Sequence, residues 1–209
     1  MKIAIVGAGN VGRALAGRFV RAGHEVTFGV RHPENPKHEA LSGARLLPRD
    51  AAAAAETVVL ATPWLATEAA CKDMAPLAGK TVLDCTNPLA MSPAGLGLAL
   101  GFTTSGGEMV AAWCPGASVF KAFNTTGFGV MADPIRFDLR PAMFVAGDDD
   151  ARKPAILELV DGTGFEAVDA GPLRNARLLE PFAMLWIDQA MIRGRGRDFA
   201  FALARPAKS

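Results

Sequence analysis

The apolar positions of the chain fall into short continuous runs separated by longer stretches with a helical period. The first run, 2–6, ends at Gly7, and residues 14–22 then carry large apolar side chains at helical spacing. Gly23 ends that helix, and a second β-rich run covers residues 25–28. Strand, helix and strand therefore follow one another within the first 30 residues, which predicts a βαβ unit.

The same alternation continues through the middle of the chain, where six more β-rich runs are separated by segments rich in Ala, Leu and Glu. Strands that alternate with helices predict a parallel sheet covered on both faces. The expected fold is therefore α/β, a Rossmann-type doubly wound and mainly parallel sheet. The six runs are 44–47, 57–61, 81–84, 118–123, 142–146 and 165–168.

The last part of the chain has a different pattern. Residues 173–192 form a long periodic stretch, Gly194 and Gly196 interrupt it, and residues 199–203 alternate large and small apolar side chains. This predicts a capping helix followed by a closing strand. Because no repeat, linker or charge block divides the chain, we expect one domain over 1–209, with 171–209 as a C-terminal capping extension.

Composition narrows the possible partners. Half of the residues are hydrophobic, and 22 Lys+Arg against 21 Asp+Glu leave a net charge of +1. A charge this small does not favour nucleic acid or an anionic membrane as the partner. No apolar run approaches the roughly 18 residues of a membrane helix, so we expect a cytoplasmic protein that acts on a small molecule.

The residues available for metal binding and proton transfer are few. Cys71, Cys85 and Cys114 are widely spaced without a CxxC, which predicts buried thiols and neither a disulfide framework nor a metal site. The chain has no Tyr, and its three His all lie within the first 40 residues. These absences exclude the Tyr-plus-Lys chemistry of short-chain dehydrogenases and an HExxH metal helix.

Residues 7–12 read Gly-Ala-Gly-Asn-Val-Gly and match GxGxxG between the first strand and the first helix. Gly7 permits the tight turn, Gly9 lets the backbone approach a pyrophosphate, and Gly12 lets the helix pack on the strand. The phosphates of a dinucleotide then lie on the helix N-terminus. Because the motif has this strand–turn–helix context, it predicts a dinucleotide site.

The end of the second strand predicts which dinucleotide binds. NAD sites carry an acid there for the ribose 2′-OH, but here Arg31 and His32 follow the strand, and the first acid is Glu34. A guanidinium suits a phosphate dianion, and Lys37 adds a further donor. These residues favour NADP(H).

Two more strand ends carry candidate residues. Thr62-Pro63-Trp64 follows the fourth strand and Thr86-Asn87-Pro88 follows the fifth. Ligands of open α/β sheets bind at this carboxyl edge. We expect Thr62 and Pro63 to contact the ribose-phosphate side of the cofactor, while Trp64 either contacts ligand or covers the core.

Three stretches, 120–125, 145–149 and 169–181, add a specific signal, above all the Gly-Pro-Leu-x-Asn-Ala-Arg-Leu-Leu-Glu-Pro segment at 171–181. Together with the glycine turn and Arg31, they resemble the coenzyme F420-dependent NADP oxidoreductase family over nearly the whole chain. More distantly, the chain is similar to the cytosolic reductase domain of the six-transmembrane metalloreductases.

The resemblance implies a Rossmann domain that binds NADP(H) across the strand ends, with a deazaflavin (F420) docked on the nicotinamide. It places the pyrophosphate on the glycine turn, the 2′-phosphate on Arg31 and the nicotinamide near Ala122 and Asn124. Family members often have Ser and a basic residue where this chain has Val30 and Asn35, and some have Thr at position 8. The full expected cofactor set is Gly7, Ala8, Gly9, Asn10, Val11, Gly12, Arg31, His32, Thr62, Pro63, Ala122 and Asn124.

Hydride transfer between nicotinamide and a deazaflavin or flavin requires two aligned rings and no proton from the protein in the hydride step. Lys121 is the one candidate acid near the strand ends, and strand alternation predicts that it turns to solvent. We expect Glu108 to be an exposed or helix-capping carboxylate and Arg177 to pair with Glu180 on the capping helix. The basic stretch 193–197 is expected to be a solvated loop.

Two other functions stay open at this point. One is the reduction of a small carbonyl or imine, which takes an acid beside the reacting atom and, in related enzymes, a sizeable helical C-terminal domain. The other is a protein that senses NADP(H) without turnover. The apolar width of helix 173–192 also predicts a homodimer whose second subunit helps to close the acceptor pocket.

Overall fold

A computed structural model of the protein describes residues 1–41 and 43–206. Its helices are α1 (Asn10–Arg21), α2 (Pro48–Ala54), α3 (Trp64–Met74), α4 (Gly106–Trp113), α5 (Phe128–Ala132), α6 (Lys153–Gly162) and α7 (Ala176–Ile187). Its strands are β1 (Lys2–Val6), β2 (Glu25–Gly29), β3 (Ala44–Leu46), β4 (Thr57–Leu60), β5 (Thr81–Asp84), β6 (Leu89–Ser92), β7 (Gly95–Leu98), β8 (Ser118–Lys121), β9 (Ala142–Gly147) and β10 (Glu166–Asp169).

Eight strands form one sheet in the order β10-β9-β8-β5-β4-β1-β2-β3, and β6 and β7 form a separate antiparallel pair. Every neighbouring pair in the large sheet is parallel except β8 and β9. This confirms the predicted doubly wound α/β fold. The strand order reverses at β1 and β4, which is the point where open α/β sheets bind ligands.

The register of the central strands brings their carboxyl ends to one edge. Val6 lies opposite Leu60, Leu60 opposite Asp84, and Asp84 opposite Lys121. The segments that follow β1, β4, β5 and β8 therefore meet along this carboxyl edge, as the sequence predicts.

Both faces of the sheet are buried. Along β1, Ile3 and Ile5 belong to the apolar cluster that contains Phe19 of α1, whereas Ala4 and Val6 belong to a second cluster on the opposite face. Full burial of a large apolar side chain contributes roughly 1.5–3 kcal/mol, so the two layers of helices stabilise the sheet from both sides. Cys71, Cys85 and Cys114 are all buried with free thiols, which confirms that they are buried thiols.

The C-terminal part differs from the prediction in one respect. The predicted helix is present as a 3-10 turn (Leu173–Asn175), α7 and a π turn (Asp188–Ile192). The predicted closing strand at 199–203 is wrong, because no strand forms there. The segment contacts the sheet through a backbone hydrogen bond from Ala142 N to Phe201 O at 2.8 Å. Its aromatic rings pack on α7, with Phe199 stacked on Trp186. Packing on a helix, and not strand pairing, explains the alternation.

The β6–β7 hairpin is a structural element that the pattern of the sequence does not reveal. Its eight strand residues include two glycines and are at best half-buried, so they lack the continuous apolar run of the central strands. Within residues 1–41 and 43–206, no helix combines the length and apolar character needed to cross a membrane. In the same ranges, no cluster of His, Cys, Asp and Glu is arranged to hold a metal ion.

Candidate functional site: a cavity at the carboxyl edge of the sheet

The glycine turn between β1 and α1 has two structural glycines and one that leaves open space. Gly7 has φ +112°, and a Cβ there would lie 2.3 Å from the Ala61 carbonyl oxygen. A Cβ on Gly12 would lie 1.9 Å from the Gly7 oxygen, whereas a Cβ on Gly9 would have no atom within 4 Å. The first two glycines are therefore required by the fold, and Gly9 leaves room for a ligand against the backbone.

A cavity of about 460 Å³ opens beside this turn, and we call it the turn cavity. α1 begins at Asn10 with no acid in its first turn, so its N–H groups and positive dipole end are available to an anion. A pyrophosphate therefore fits between the glycine turn and the N-terminus of α1. The lining residues are Val6, Gly7, Ala8, Gly9, Arg13, Gly29, Val30, Arg31, His32, Lys37, His38, Pro48, Ala61, Thr62, Pro63, Ala66, Ala69, Ala70 and Asp73.

Seven of the twelve expected cofactor residues line the turn cavity. The other five do not. Asn10, Val11 and Gly12 form the start of α1, and Ala122 and Asn124 lie at the end of β8. The seven that line the cavity are Gly7, Ala8, Gly9, Arg31, His32, Thr62 and Pro63.

The far end of the turn cavity is lined by cations. Arg31 and Lys37 are exposed there, and the first acid after β2, Glu34, lies 3.6 Å from the Nδ1 atom of the exposed His32. The residues at the end of β2 are Gly29 and Val30, which are both buried, so no acid lies at this position. This arrangement matches the predicted preference for a 2′-phosphate over a bare 2′-OH.

Arg13 is a member of the site that the motif alone does not identify. Its Nε donates to the Ala8 oxygen at 3.0 Å and its Nη2 to the Lys37 oxygen at 3.4 Å, so it joins the glycine turn to the 36–38 segment. A cation in the first turn of a helix opposes the dipole. That unfavourable position is the available signal that an anion is expected nearby.

The segment after β4 is held by side-chain hydrogen bonds. The Thr62 and Thr67 hydroxyl oxygens lie 3.1 Å apart, and the Thr67 hydroxyl donates to the Pro63 oxygen at 3.1 Å. Trp64 begins α3 and packs on Trp113, with 5.5 Å between ring centroids. This contact favours the core-covering role for Trp64 over ligand contact.

Asn87 and Asn124 connect the ends of β5 and β8. Asn87 Nδ2 donates to the Asn124 oxygen at 2.9 Å, and Asn124 Nδ2 lies 3.0 Å from Asn87 Oδ1 and 3.1 Å from the Leu179 oxygen of α7. Among the described residues, the buried Asn124 Oδ1 and Thr86 Oγ1 have no hydrogen-bond partner. Ala122 is fully buried. Thr126 Oγ1, two residues after Asn124, also lacks a partner, so three unsatisfied polar oxygens lie in this part of the described structure.

Lys121 is not turned to solvent, and that expectation is wrong. It is fully buried, and its Nζ lies 2.8 Å from Asp84 Oδ2, 2.9 Å from Glu180 Oε1 and 2.6 Å from the Thr86 oxygen. We call Lys121, Asp84 and Glu180 the ion triad. Asp84 lies opposite Lys121 in the sheet register, so both project to the same face, which α4 and α7 cover.

The electrostatics of the ion triad keep Lys121 protonated. Burial by itself lowers the pKa of a lysine, but the Asp84 and Glu180 carboxylates more than offset it, so the pKa of Lys121 is raised. An ammonium closed off from solvent and held by two carboxylates is poorly placed to give a proton to a substrate. The position of Lys121 in the triad is therefore structural.

The predicted pair between Arg177 and Glu180 is also wrong. Glu180 accepts hydrogen bonds from Gly106 N at 2.9 Å and Gly107 N at 3.0 Å, at the start of α4. Arg177 instead binds Glu108, with Nη2 2.6 Å from Oε1. The Glu180 carboxylate is therefore held by the N-terminus of α4 and by Lys121, and not by its neighbour on α7. Both side chains therefore attach α7 to the start of α4.

Glu108 takes part in the capping of α4, as one of the two expectations had it, but it is partly buried and not exposed. The Ser105 hydroxyl caps α4 by accepting from Glu108 N at 3.2 Å, and it donates to Glu108 Oε2 at 2.7 Å. Hydrogen bonds from the Arg177 guanidinium are the main cause that lowers the pKa of Glu108. The 193–197 loop is exposed as expected, with Arg193 Nε 3.1 Å from Asp188 Oδ2.

A second cavity, of about 910 Å³, lies between the segment after β7 and the outer face of α7, and we call it the outer groove. Phe102 in its wall is 98% exposed and has φ 54°, an uncommon conformation for an aromatic residue. Arg174 and Arg177 bring positive charge to an otherwise apolar lining. The lining residues are Leu98, Ala99, Leu100, Gly101, Phe102, Arg174, Asn175, Arg177, Leu178 and Pro181.

An open parallel sheet with a glycine turn, an unobstructed helix N-terminus and a cavity at its switch point defines the dinucleotide-binding Rossmann class. Residues 2–88 match the model of the family described as NADP oxidoreductase, coenzyme F420-dependent. The F420-dependent NADP reductase of Methanothermobacter thermautotrophicus is 31% identical over 95% of this chain and 92% of its own. The chain therefore belongs to the coenzyme F420-dependent NADP oxidoreductase family, a family of oxidoreductase enzymes.

Two further likenesses agree with this assignment. A crystal structure from Arthrobacter sp. FB24, assigned as an F420-dependent NADP-reductase, superimposes with a TM-score of 0.88 at 34% identity, over 98% of this chain and all of that one. The rat metalloreductase STEAP3 is 29% identical over 86% of this chain. That match spans 36% of the metalloreductase, so the chain corresponds to about a third of it.

Proposed function

We propose that the protein is an NADP(H)-dependent oxidoreductase that transfers hydride between the nicotinamide and a deazaflavin such as F420, or a flavin. Family membership supports the NADP(H) part. The acceptor class is supported by one observation on the carboxyl edge. Among the described residues around the ends of β4, β5 and β8, the ionisable Asp84, Cys85 and Lys121 are all buried.

Different residues of the turn cavity would bind different parts of the cofactor. The backbone around Gly9 and the start of α1 would hold the pyrophosphate, and Arg31, His32 and Lys37 would hold the 2′-phosphate. Thr62 and Pro63 would meet the neighbouring ribose. When bound, NADP(H) supplies or accepts the hydride, and these residues fix its orientation along the strand ends.

The burial of these ionisable side chains at the strand ends favours one kind of acceptor. Reduction of a carbonyl is helped by an acid beside the oxygen, whereas a deazaflavin or flavin ring accepts a hydride directly once the rings are aligned. Hydride carries both electrons from NADPH to the ring, NADPH becomes NADP⁺, and the one proton that completes the reduced ring comes from solvent. The strand ends therefore have to align and shield the rings rather than move a proton.

The test is anaerobic oxidation of NADPH with F420, FMN, FAD, a ferric chelate and a cyclic imine as separate acceptors. We expect turnover with the deazaflavin or the flavins and none with the imine. Turnover of the imine alone would contradict the proposal. Tight NADPH binding without turnover of any acceptor would identify a sensor of the NADP(H) redox state.

We further propose that the protein is a homodimer built on α7, in which the partner subunit helps to close the acceptor pocket. Leu178 and Leu185 lie seven residues apart on one face of α7 and are 67% and 48% exposed, and Met191 in the π turn is 54% exposed. By contrast, Leu179 and Trp186 are buried against the domain. An apolar stripe of this kind commonly marks an interface.

Light scattering tests the dimer. We expect a dimer at micromolar concentration, and we expect Leu185→Glu to shift it toward monomer while the fold is preserved. Arg21→Glu, an exposed change on α1, is the matched control. A wild-type monomer that is active as such would overturn the dimer proposal and leave the hydride-transfer proposal intact.

A further inference from the structure

His38 is a buried, titratable side chain of the turn cavity to which the cofactor motif assigns no role. It ends the 3-10 turn Pro36–His38, is 7% exposed and lines the cavity wall. Among the described residues, its buried Nδ1 has no hydrogen-bond partner. A buried polar atom left without a partner costs free energy, so a ligand that gives His38 Nδ1 a hydrogen-bond partner would recover that cost.

The turn that carries His38 is firmly held. Asn35 Oδ1 accepts from Lys37 N at 3.1 Å, and the His38 N–H donates to the Asn35 oxygen at 2.9 Å. The Arg13 guanidinium also donates to the Lys37 oxygen, which connects the turn to the N-terminus of α1. The imidazole is therefore fixed in the wall that faces the glycine turn.

The charges around His38 are mostly of one sign. Lys37 of its own turn, Arg13 of α1, Arg45 of β3 and His32 of the preceding loop all act on it. The acids nearby are few: Glu34 lies beside His32, Glu39 follows in the chain and is exposed, and Asp73 of α3 lines the cavity. Burial and then these cations lower the pKa of His38, so the ring is neutral at neutral pH in the empty cavity.

We propose that His38 is a specificity-determining residue for the 2′-phosphate, neutral in the empty site and protonated when NADP(H) binds. This inference rests on the proposed function. A phosphate dianion placed among Arg13, Arg31 and Lys37 favours the protonated imidazole, because it brings two negative charges next to a ring whose surroundings are mostly positive. The imidazolium then has two N–H donors, one of them on the Nδ1 that has no partner in the empty cavity.

The proton balance of this step separates the two dinucleotides. The proton comes from solvent and is taken up by His38 on NADPH binding. NADH has no 2′-phosphate, so its binding takes up none. At about pH 7.5 the 2′-phosphate, with a second pKa near 6, is almost fully ionised, and any further ionisation on binding would release protons, the opposite sign.

Isothermal titration calorimetry in buffers of different ionisation enthalpy measures this uptake. We expect NADPH binding to wild type near pH 7.5 to take up on the order of half a proton, and NADH binding to take up none. His38→Asn keeps hydrogen-bonding groups but cannot titrate, so its uptake should disappear. A circular dichroism spectrum and a melting temperature like those of wild type should show that the variant folds.

His24→Gln and His32→Gln are the matched controls, because one lies away from the cavity and the other lies within it. Retained uptake in both variants, with loss in His38→Asn, supports the inference. Equal uptake in His38→Asn and wild type, or loss in His32→Gln alone, would overturn it while NADPH binding still stands. Absence of any NADPH binding to wild type would overturn the proposed function and this inference with it.

Discussion

The turn cavity and the ion triad lie along the same sheet edge and use charge in opposite ways. In the turn cavity, Arg31 and Lys37 are exposed around an open space without a facing carboxylate at the end of β2. In the ion triad, Lys121 is fully buried between two carboxylates. The first arrangement is unfavourable until an anion arrives, and the second is complete without any ligand.

This difference separates binding charge from structural charge. Cations that repel one another around a cavity raise the affinity for an anion, because the ligand relieves that repulsion. A lysine already neutralised by its own protein gains nothing from a ligand, but it fastens β5, β8 and α7 together. The strand ends near Asn87 and Asn124 are consequently held in place by the ion triad.

The largest effect on stability is expected when the cation of the ion triad, Lys121, is removed. Lys121→Met leaves two buried carboxylates without their ammonium, which should lower the free energy of unfolding by roughly 3–5 kcal/mol. Denaturant unfolding measures it. Lys72→Met is the control, because the exposed Lys72 pairs with Glu68 along α3 and should cost no more than about 0.5 kcal/mol. Similar losses in the two variants would show that the ion triad is not structural.

A side chain at Gly9 should abolish cofactor binding in the turn cavity and leave the fold intact. Gly9→Val places a side chain where a Cβ meets no protein atom, yet where the pyrophosphate must approach, so NADPH affinity should fall by more than about a hundredfold. Circular dichroism and a fluorescence titration measure both effects. Gly17→Ala, farther along α1, should bind normally. Wild-type affinity in Gly9→Val would mean that the turn serves only the fold.

Removing one cavity cation should act on one cofactor alone. Arg31→Ala should weaken NADPH binding about ten- to a hundredfold through loss of a charge-assisted contact, with little change for NADH and little change in stability. Parallel titrations with NADPH and NADH give the ratio. An equal loss for both cofactors would contradict the assignment of Arg31 to the 2′-phosphate.

A pH series sharpens the comparison at the half-exposed pair of Glu108 and Arg177. Because the pKa of Glu108 is lowered in the folded state, the pair stabilises the protein above the ordinary carboxyl pKa, and that contribution is lost as pH falls through the lowered value. Arg177→Gln should therefore lower the melting temperature most near pH 6 and least in acid. The exposed Arg174→Gln is the control. A deficit that does not change with pH would mean that lost packing, and not charge, explains the effect.

The sequence predicts the fold and the turn cavity because both depend on local patterns. Continuous apolar runs give the strands, and Gly7, Gly9 and Gly12 act within one short turn. The ion triad depends on contacts between residues far apart in the chain, so spacing on one helix wrongly pairs Glu180 with Arg177. Strand alternation likewise assigns Lys121 to a solvent-facing side, although α4 and α7 cover the face to which it projects.

Aromatic alternation at 199–203 misled for a similar reason, since rings packed on a helix produce the same pattern as a strand. His38 could not be chosen from the sequence, because its place in the cavity wall follows from the path of the loop between β2 and β3. The position of Arg13 near the start of α1 was an available signal that sequence analysis missed. The sequence pattern predicts the path of the backbone well. It does not predict which charged residues that are distant in the chain form ion pairs.

The most direct test of the account is to follow deuterium from NADPH labelled at C4 of the nicotinamide on both faces. A deazaflavin has carbon at the accepting position of the ring, so a hydride delivered there stays bound and does not exchange with water. We predict that the reduced deazaflavin formed anaerobically by this protein carries deuterium, as seen by mass spectrometry. NADPH oxidation that leaves only protium on the ring would contradict direct hydride transfer at the strand ends.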